Sequence, residues 1–360
     1  MEVFKIQIIY AIMKFGFSIP VPTPRLDYMY EGAKKAEQCG FEYVFYADHT
    51  VMLPPGPGTC YDAFMFLTSI AMITSKVKLC TGVSDPHRFH PALMAQKVAT
   101  LDQISNGRAM IGVGAGEKMN IDMYGLNREK TITKLREYIE LLREFWTKRK
   151  VSRKSDFWGN IHRAYIQVKP IQKTPPIYIA ANGPKTRQMT GELGDGWYPF
   201  VESPKSFKEN KREIVEAAKN GGRNPQDIDY AYNCFVAIDN DNPENTVKRC
   251  EFFKATYVLN PTKTNQIYPD LGLPTDYTIH NFDMQVKDAN EQLSCVDNLP
   301  ETILEDTNCL GSTDDVISSI EKYKEAGATS MILMNRGPDV NQVYEIFRDK
   351  IIPYFKELDK

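Results

Sequence analysis

The sequence predicts an α/β fold, an eight-stranded (β/α)8 TIM barrel with insertions. Short apolar segments typical of buried strands alternate with segments whose apolar residues recur at helical spacing. Residues 14–115 follow the order β-α-β-α-β-α-β, and the alternation resumes after residue 177. This alternation indicates a parallel sheet wrapped by helices, and its repetition along 360 residues favours a closed barrel over an open sheet.

In the first half of the chain, glycine and proline mark the ends of the predicted elements. Apolar residues recur at helical spacing from Leu26 to Ala36, and Gly40 is a typical C-terminal stop. Pro91 opens another helix, in a first turn that needs no backbone N–H. The predicted strands here are 14–19, 43–47, 77–83 and 109–113, and the predicted helices are 26–39, 62–74 and 91–105.

The second half repeats the pattern with two interruptions. The basic run 147–154 reads as a solvated loop, and Trp158-Gly159-Asn160 reads as a hairpin tip. Further strands are predicted at 177–181, 196–200, 228–238 and 330–334, and further helices at 132–146, after Lys185, and at 204–219, 243–254, 313–325 and 340–358.

Two segments fall outside this alternation. Residues 255–306 contain several prolines and no clean period, and we interpret them as an insertion near the C-terminal face of the barrel and a candidate lid. Residues 1–12 precede a second methionine and read as an N-terminal extension, with Met13 as a candidate true start. Residues 13–360 are therefore predicted to form a single barrel domain.

Composition excludes several classes of function. The net charge is -2, which leaves no global basic footprint for nucleic acid, and no apolar run approaches the ~20 residues of a membrane helix. Seven scattered cysteines favour reduced thiols in a cytoplasmic protein. With five histidines and no metal-binding spacing, we expect no metal site. A small molecule is the expected partner.

The candidate site lies where the predicted strands end, because TIM barrels carry their working residues at the C-terminal ends of strands. His49 follows the second strand, and Glu117 follows the glycines after the fourth. A histidine and a carboxylate over one pocket can divide proton transfer and charge stabilisation. Taken singly, His49 could be an ordinary loop histidine, and the glycines before Glu117 could be a simple turn.

Six stretches follow one another across nearly the whole predicted barrel. They are Gly40-Phe41 to Asp48-His49, Phe89 to Gln96, Gly107-Arg108 to Asn120, Pro175 to Gly183-Pro184, Gly194-Asp195-Gly196 and Gly327 to Val340. Taken together and in this order, they resemble the luciferase-like superfamily, and within it the branch that uses the deazaflavin coenzyme F420.

The resemblance implies a hydride-transferring oxidoreductase with F420 as cofactor and a homodimeric assembly. It implies catalytic roles for His49 and Glu117, a non-proline cis peptide within Thr81-Gly82-Val83, and a phosphate-binding loop after the fifth strand. The implied cofactor-binding residues are Asp48, Thr81, Gly82, Val83, Ser84, Asn120, Ala181, Gly183 and Pro184.

Departures from the family leave the substrate open. The dehydrogenases of this branch have a tryptophan where this chain has Leu53, and the pterin reductases have Gly-Ala-Gly-Asp-Lys where this chain has Gly-Ala-Gly-Glu-Lys. The expected substrate is an alcohol/ketone pair or a one-carbon unit bound to tetrahydromethanopterin. The alternatives are an FMN-dependent monooxygenase of the same superfamily and a non-catalytic flavin-binding barrel.

Overall fold

The barrel is built from parallel strands that follow one another around its axis in sequence order. The computed structural model describes residues 12–19, 25–52, 59–282, 291–337 and 339–358. The strands are β1 (Lys14–Ile19), β2 (Tyr43–Tyr46), β3 (Lys78–Thr81), β4 (Ile111–Val113), β5 (Val151–Ser155), β6 (Gly159–Ala164), β7 (Ile177–Ile179), β8 (Gly196–Trp197), β9 (Asp229–Ile238), β10 (Cys309–Gly311) and β11 (Ser330–Asn335).

Eight of these strands close into the predicted (β/α)8 barrel. Their hydrogen-bonded order is β3-β2-β1-β11-β9-β8-β7-β4. The remaining gap, between β3 and β4, is bridged in parallel at Leu79–Ala109 and at Ser84–Val113. The C-terminal ends of all eight strands therefore face the same end of the barrel.

Helices cover the outside of the barrel and bury their apolar faces against it. The first helix buries Met29, Ala33 and Ala36, as their helical spacing predicts. The helices are α1 (Leu26–Gln38), α2 (Ala63–Ala71), α3 (Pro91–Ile104), α4 (Thr131–Thr147), α5 (Pro184–Leu193), α6 (Pro204–Asn220), α7 (Asn245–Cys250), α8 (Ala255–Val258), α9 (Pro261–Ile267), α10 (Ile303–Thr307), α11 (Thr313–Ala326), α12 (Val340–Ile346) and α13 (Ile352–Leu358). Of the described helices, none is long and apolar enough to span a membrane.

Three parts of the structure differ from the prediction. The basic run does not stay a loop, because residues 151–155 pair with β6 as an antiparallel hairpin. Strand β8 stops at Trp197 instead of residue 200, since Pro199 has no N–H for a sheet and Val201 has a left-handed φ of 57°. Strand β10 was not predicted, because it directly follows the segment that shows no clean period, unlike the equally short β4 and β7.

The segment predicted to be irregular contains short helices. Helices α8, α9 and α10 span four to seven residues each, so none is long enough to reveal a helical period in the sequence. In this segment, Lys263 of α9 forms a buried ion pair with Glu202, which follows β8. Ala255 and Leu259 line a cavity above the strand ends.

Some predictions fall on residues that the structure does not describe. The proposed extension lies outside the described residues except for Ile12, and so does Leu53. The assignment of residues 13–360 to a single domain, with an insertion at about 255–306, stays a prediction.

A buried carboxylate occupies the N-terminal end of the barrel. Asp229 accepts hydrogen bonds from the hydroxyls of Tyr43 (3.1 Å), Tyr178 (2.5 Å) and Ser330 (2.7 Å). Burial alone would raise the pKa of Asp229, but the charge of Lys14 and these hydrogen bonds outweigh it and hold the pKa below its ordinary value. The network ties β9 to β2, β7 and β11.

Candidate active site

A cavity of about 700 Å³ opens at the C-terminal end of the barrel. Most of its wall is apolar, and its polar side chains come from the loops that follow the strands. Seven residues predicted for the site line this cavity: Asp48, His49, Gly82, Val83, Ser84, Glu117 and Asn120. The barrel topology brings them together from three separate strand ends, after β2, β3 and β4.

His49 and Glu117 face each other across Asn120. The distance from His49 Nδ1 to Glu117 Oε2 is 3.8 Å, which is too long for a direct hydrogen bond. The amide Nδ2 of Asn120 lies 3.2 Å from Glu117 Oε2 and 3.4 Å from His49 Nδ1. Its Oδ1 accepts from the backbone N–H groups of Thr50 and Val51, which fixes the amide in this orientation. Asn120 therefore positions both candidate catalytic groups.

The carboxylate of Asp48 is hydrogen-bonded to other side chains of the protein. It accepts from Ser84 Oγ at 2.6 Å and from Arg88 at 3.2 Å. Arg88 also donates to the Asp48 carbonyl (2.6 Å) and to the Asp85 carboxylate (2.5 Å). Arg88 was not among the residues predicted for the site, yet it fixes the loop that carries His49. The available signal was a cation three residues after Asp85 in a strand-end loop.

The Gly82–Val83 peptide bond is cis, as the family resemblance implies. Gly82 and Val83 line the cavity, whereas Thr81 is fully buried behind them and its hydroxyl donates to the Gly112 carbonyl at 2.9 Å. A Cβ atom at Gly112 would lie 2.2 Å from the Thr81 carbonyl oxygen. Gly112 thus permits close packing of β4 on β3, and it makes no room for a ligand.

The residues predicted for the phosphate-binding loop do not line the cavity. Ala181, Gly183 and Pro184 are absent from its lining, while the neighbouring residues Ala180 and Asn182 contribute to it. Ala181 is fully buried, and its carbonyl accepts from Trp197 Nε1 at 2.8 Å. A phosphate-binding role for this loop stays a prediction.

The loop that carries Glu117 is hydrogen-bonded to His280, which lies in the segment 255–282. The N–H of Lys118 donates to the His280 carbonyl at 2.9 Å, and His280 Nδ1 lies 3.2 Å from the Gly116 carbonyl oxygen. Both residues that flank Glu117 in the chain are therefore bonded to one histidine.

Sequence reasoning missed the side of the cavity that faces Glu117. Aromatic side chains line it, and Arg336 follows β11 there. The strand end Asn335-Arg336-Gly337 is visible in the sequence, but nothing local distinguishes it from an ordinary loop. The aromatic residues on this side are Phe200, Phe235, Phe252 and Phe253.

A family model described as luciferase-like monooxygenase matches residues 8–330. The chain belongs to this family. Among curated relatives, it is similar to the 5,10-methylenetetrahydromethanopterin reductase of Methanopyrus kandleri, with 31% identity over 365 residues that cover 96% of this chain and 100% of the relative.

Two further comparisons point the same way. The luciferase-like chain is 26% identical to the F420-dependent glucose-6-phosphate dehydrogenase of Amycolatopsis mediterranei, over 91% of this chain and 94% of that protein. A solved F420-dependent secondary alcohol dehydrogenase, in complex with an F420-acetone adduct, shares the fold with a TM-score of 0.81 and 24% identity, over 95% and 99% of the two chains. The curated relatives confirm the resemblance to the F420-dependent branch, and the solved structure confirms the fold.

Proposed function

We propose that this protein is an oxidoreductase that exchanges a hydride between coenzyme F420 and an organic substrate. The named relatives support the reaction class. The observation that carries the proposal is the trio of His49, Asn120 and Glu117 at one edge of a mainly apolar cavity. The substrate is an alcohol/ketone pair or a one-carbon unit bound to tetrahydromethanopterin.

The wall beside this trio suits a flat heterocycle. It is formed by residues with little or no side chain, so a planar ring can lie close to the backbone. The small residues that line the cavity are Ala47, Gly82, Gly114, Ala115, Gly116 and Ala180. Asp48, Ser84 and Asn120 supply polar groups at the edge of this wall, where they would hold the ring of the coenzyme.

The coenzyme, when bound, supplies the hydride chemistry, and the protein binds, orients and tunes it. In the alcohol reaction, His49 takes the hydroxyl proton of the substrate at its ring nitrogen. Glu117 holds a proton for the ring edge or stabilises the charge that develops there. When coenzyme and substrate fill the mainly apolar cavity, less water reaches both groups, which strengthens each electrostatic interaction.

Anaerobic titration of the purified protein with F420, followed by deazaflavin fluorescence, tests the proposal. We expect saturable binding, and turnover at the deazaflavin absorbance with a panel of alcohols and methylene-tetrahydromethanopterin. Absence of binding would refute the function at its root. Oxygen uptake with reduced FMN, without any response to F420, would instead support the monooxygenase alternative.

We also propose a homodimer located in the cytoplasm, on the family resemblance and the reduced cysteines. All seven cysteines are free thiols in the structure. Light scattering coupled to gel filtration should give twice the mass of the 41.1 kDa chain. A monomer at micromolar concentration would contradict this assembly.

A further inference from the structure

Arg336 lies at the aromatic side of the cavity, and none of the described residues forms an ion pair with it. Its guanidinium carbon is 4.4 Å from the ring centre of Phe253 and 5.8 Å from that of Phe235. Its Nε atom is buried and has no hydrogen-bond partner among the residues that the structure describes. Two aromatic faces thus hold the side chain. The described residues give its N–H groups no hydrogen-bond acceptor.

Arg88, which is bonded to the cavity residue Asp48, is a fully paired guanidinium in the same fold. Arg88 is bonded to two carboxylates, those of Asp48 and Asp85. Arg336 has no such carboxylate among the described residues, and burial lowers its pKa without removing its charge. A desolvated cation without an anion is unfavourable unless a ligand supplies the anion.

Five buried side-chain atoms in the described part of the chain lack a hydrogen-bond partner, and two of them belong to residues that line the cavity. These two are Asn233 Oδ1 and Arg336 Nε, which lie on or directly after neighbouring strands. The others are Glu137 Oε1 and the hydroxyls of Tyr138 and Tyr344. Asn233 Oδ1 and Arg336 Nε are themselves buried in the wall, so a ligand at the aromatic side would reach Arg336 through the part of its side chain that lines the cavity.

The place of Arg336 in the barrel separates it from the predicted coenzyme site. Strand β11 lies opposite β4, with three strands between them in either direction around the barrel. His49 and Glu117 follow β2 and β4, and the predicted phosphate loop follows β7. A group bound at Arg336 therefore lies across the cavity from the acid and away from the proposed coenzyme phosphate.

We propose that Arg336, Phe235 and Phe253 form a subsite for a carboxylate or phosphate group of the organic substrate. The guanidinium pairs with the anion through charge-assisted hydrogen bonds, and the phenyl rings pack against the apolar part of the same molecule. Calling this molecule the substrate rests on the proposed function, whereas the anion site itself does not.

Phenyl phosphate is a suitable probe, because it joins an apolar ring to an anion, and phenol is its uncharged counterpart. We would titrate both by calorimetry into the full-length protein, with and without F420. In the wild type, phenyl phosphate should bind about tenfold or more tightly than phenol, and added salt should weaken it. Arg336→Gln should lose this difference, and Arg336→Lys should keep part of it.

Lys254→Gln is the matched control. It removes the same charge from the residue next to Phe253, but Lys254 has a carboxylate partner, Glu251 at 3.9 Å, and does not line the cavity. It should bind phenyl phosphate as the wild type does. Thermal unfolding of each variant checks that it is folded.

Three results would be decisive. Equal binding of phenyl phosphate to the wild type and Arg336→Gln would overturn the subsite. A loss of F420 affinity in Arg336→Gln, with phenyl phosphate binding unchanged, would overturn it in favour of the coenzyme's own anionic tail. Arg336-dependent binding of phenyl phosphate in a protein that does not bind F420 would uphold the anion site and refute the proposed function.

Discussion

The two ends of the barrel treat buried polar groups in opposite ways. At the N-terminal end, the Asp229 carboxylate receives hydroxyl hydrogen bonds from three other strands, and Lys14 balances its charge. At the C-terminal end, Asn233 Oδ1 and Arg336 Nε have no partner among the described residues. The first arrangement stabilises the fold, whereas the second leaves polar groups beside the cavity that contribute no protein hydrogen bond. Substitutions at the two ends should therefore fail in different measurements.

The largest effect is expected at the C-terminal end. Glu117→Gln keeps the shape of the side chain but removes its proton chemistry, so turnover with F420 should fall about 10²- to 10⁴-fold. F420 affinity and thermal stability should change little, because Asn120 can still bond the amide oxygen. Glu129→Gln, on the exposed surface, is the control for loss of a carboxylate. Full turnover in Glu117→Gln would rule out the proton role.

The matching test at the N-terminal end is Asp229→Asn. The amide presents an N–H group to hydroxyls that now donate to a carboxylate, so the free energy of unfolding should fall by about 3 kcal/mol. Urea denaturation measures this loss, and Asp227→Asn on the surface should stay within about 0.5 kcal/mol of the wild type. If the Asp229→Asn protein were as stable as the wild type, the hydrogen-bond network around Asp229 would not stabilise the barrel.

The same network sets a pH dependence. The pKa of Asp229 is lower in the folded protein than its ordinary value of 3.8. Its stabilising contribution is therefore complete above that value and is lost as pH falls through the folded pKa. Asp229→Asn should lack this part of the acid transition below about pH 4. An unchanged acid transition would show that other carboxylates dominate it.

A smaller effect is expected from Arg88→Lys. Lysine cannot bond two carboxylates and a carbonyl with the same fixed geometry, so the loop that carries His49 should loosen. We expect about a tenfold fall in turnover with a folded protein. Arg128→Lys, in the half-exposed pair with Asp122, should have no effect on turnover. Equal turnover in both variants would show that Arg88 does not position His49.

The smallest effect concerns His87, whose ring nitrogen Nε2 lies 3.0 Å from the carbonyl oxygen of Ala115. Burial and the charge of Lys134 lower the pKa of His87, so the fold favours the neutral ring. Its contribution is present above the ordinary value of 6.5 and is lost as pH falls below it.

Between pH 7.5 and pH 5.5 the wild type should lose stability through His87, measured as a fall in melting temperature. His87→Gln should show a flatter profile of melting temperature against pH. His162→Gln, at an exposed site, should keep the profile of the wild type. Parallel profiles for all three proteins would contradict a role for His87.

The parts of the molecule that repeat could be predicted from sequence. The outer helices show a helical period and the barrel strands stand out as short apolar segments between them. Strand ends converge in any parallel barrel, which is why His49 and Glu117 are predicted to lie near one another. The cis bond at Gly82–Val83 followed from the family resemblance.

The remaining features depend on contacts between distant segments. Helices α8 to α10 are too short to show a period, and strand β10 pairs with β9 outside the eight barrel strands. The role of Gly112 depends on how closely Thr81 approaches it, and that of Arg336 depends on which of the described residues surround its guanidinium group. Neither property can be read from neighbouring residues along the chain.

The hydrogen bonds formed by His280 have a consequence for substitutions in this protein. The segment 255–282, part of which lines the cavity, is bonded through His280 to Gly116 and Lys118, the two chain neighbours of Glu117. A substitution in this segment that reshapes the cavity should therefore also move Glu117, the proposed acid. Under the proposed function, substrate specificity and the position of Glu117 are coupled, and substitutions that move His280 should alter both.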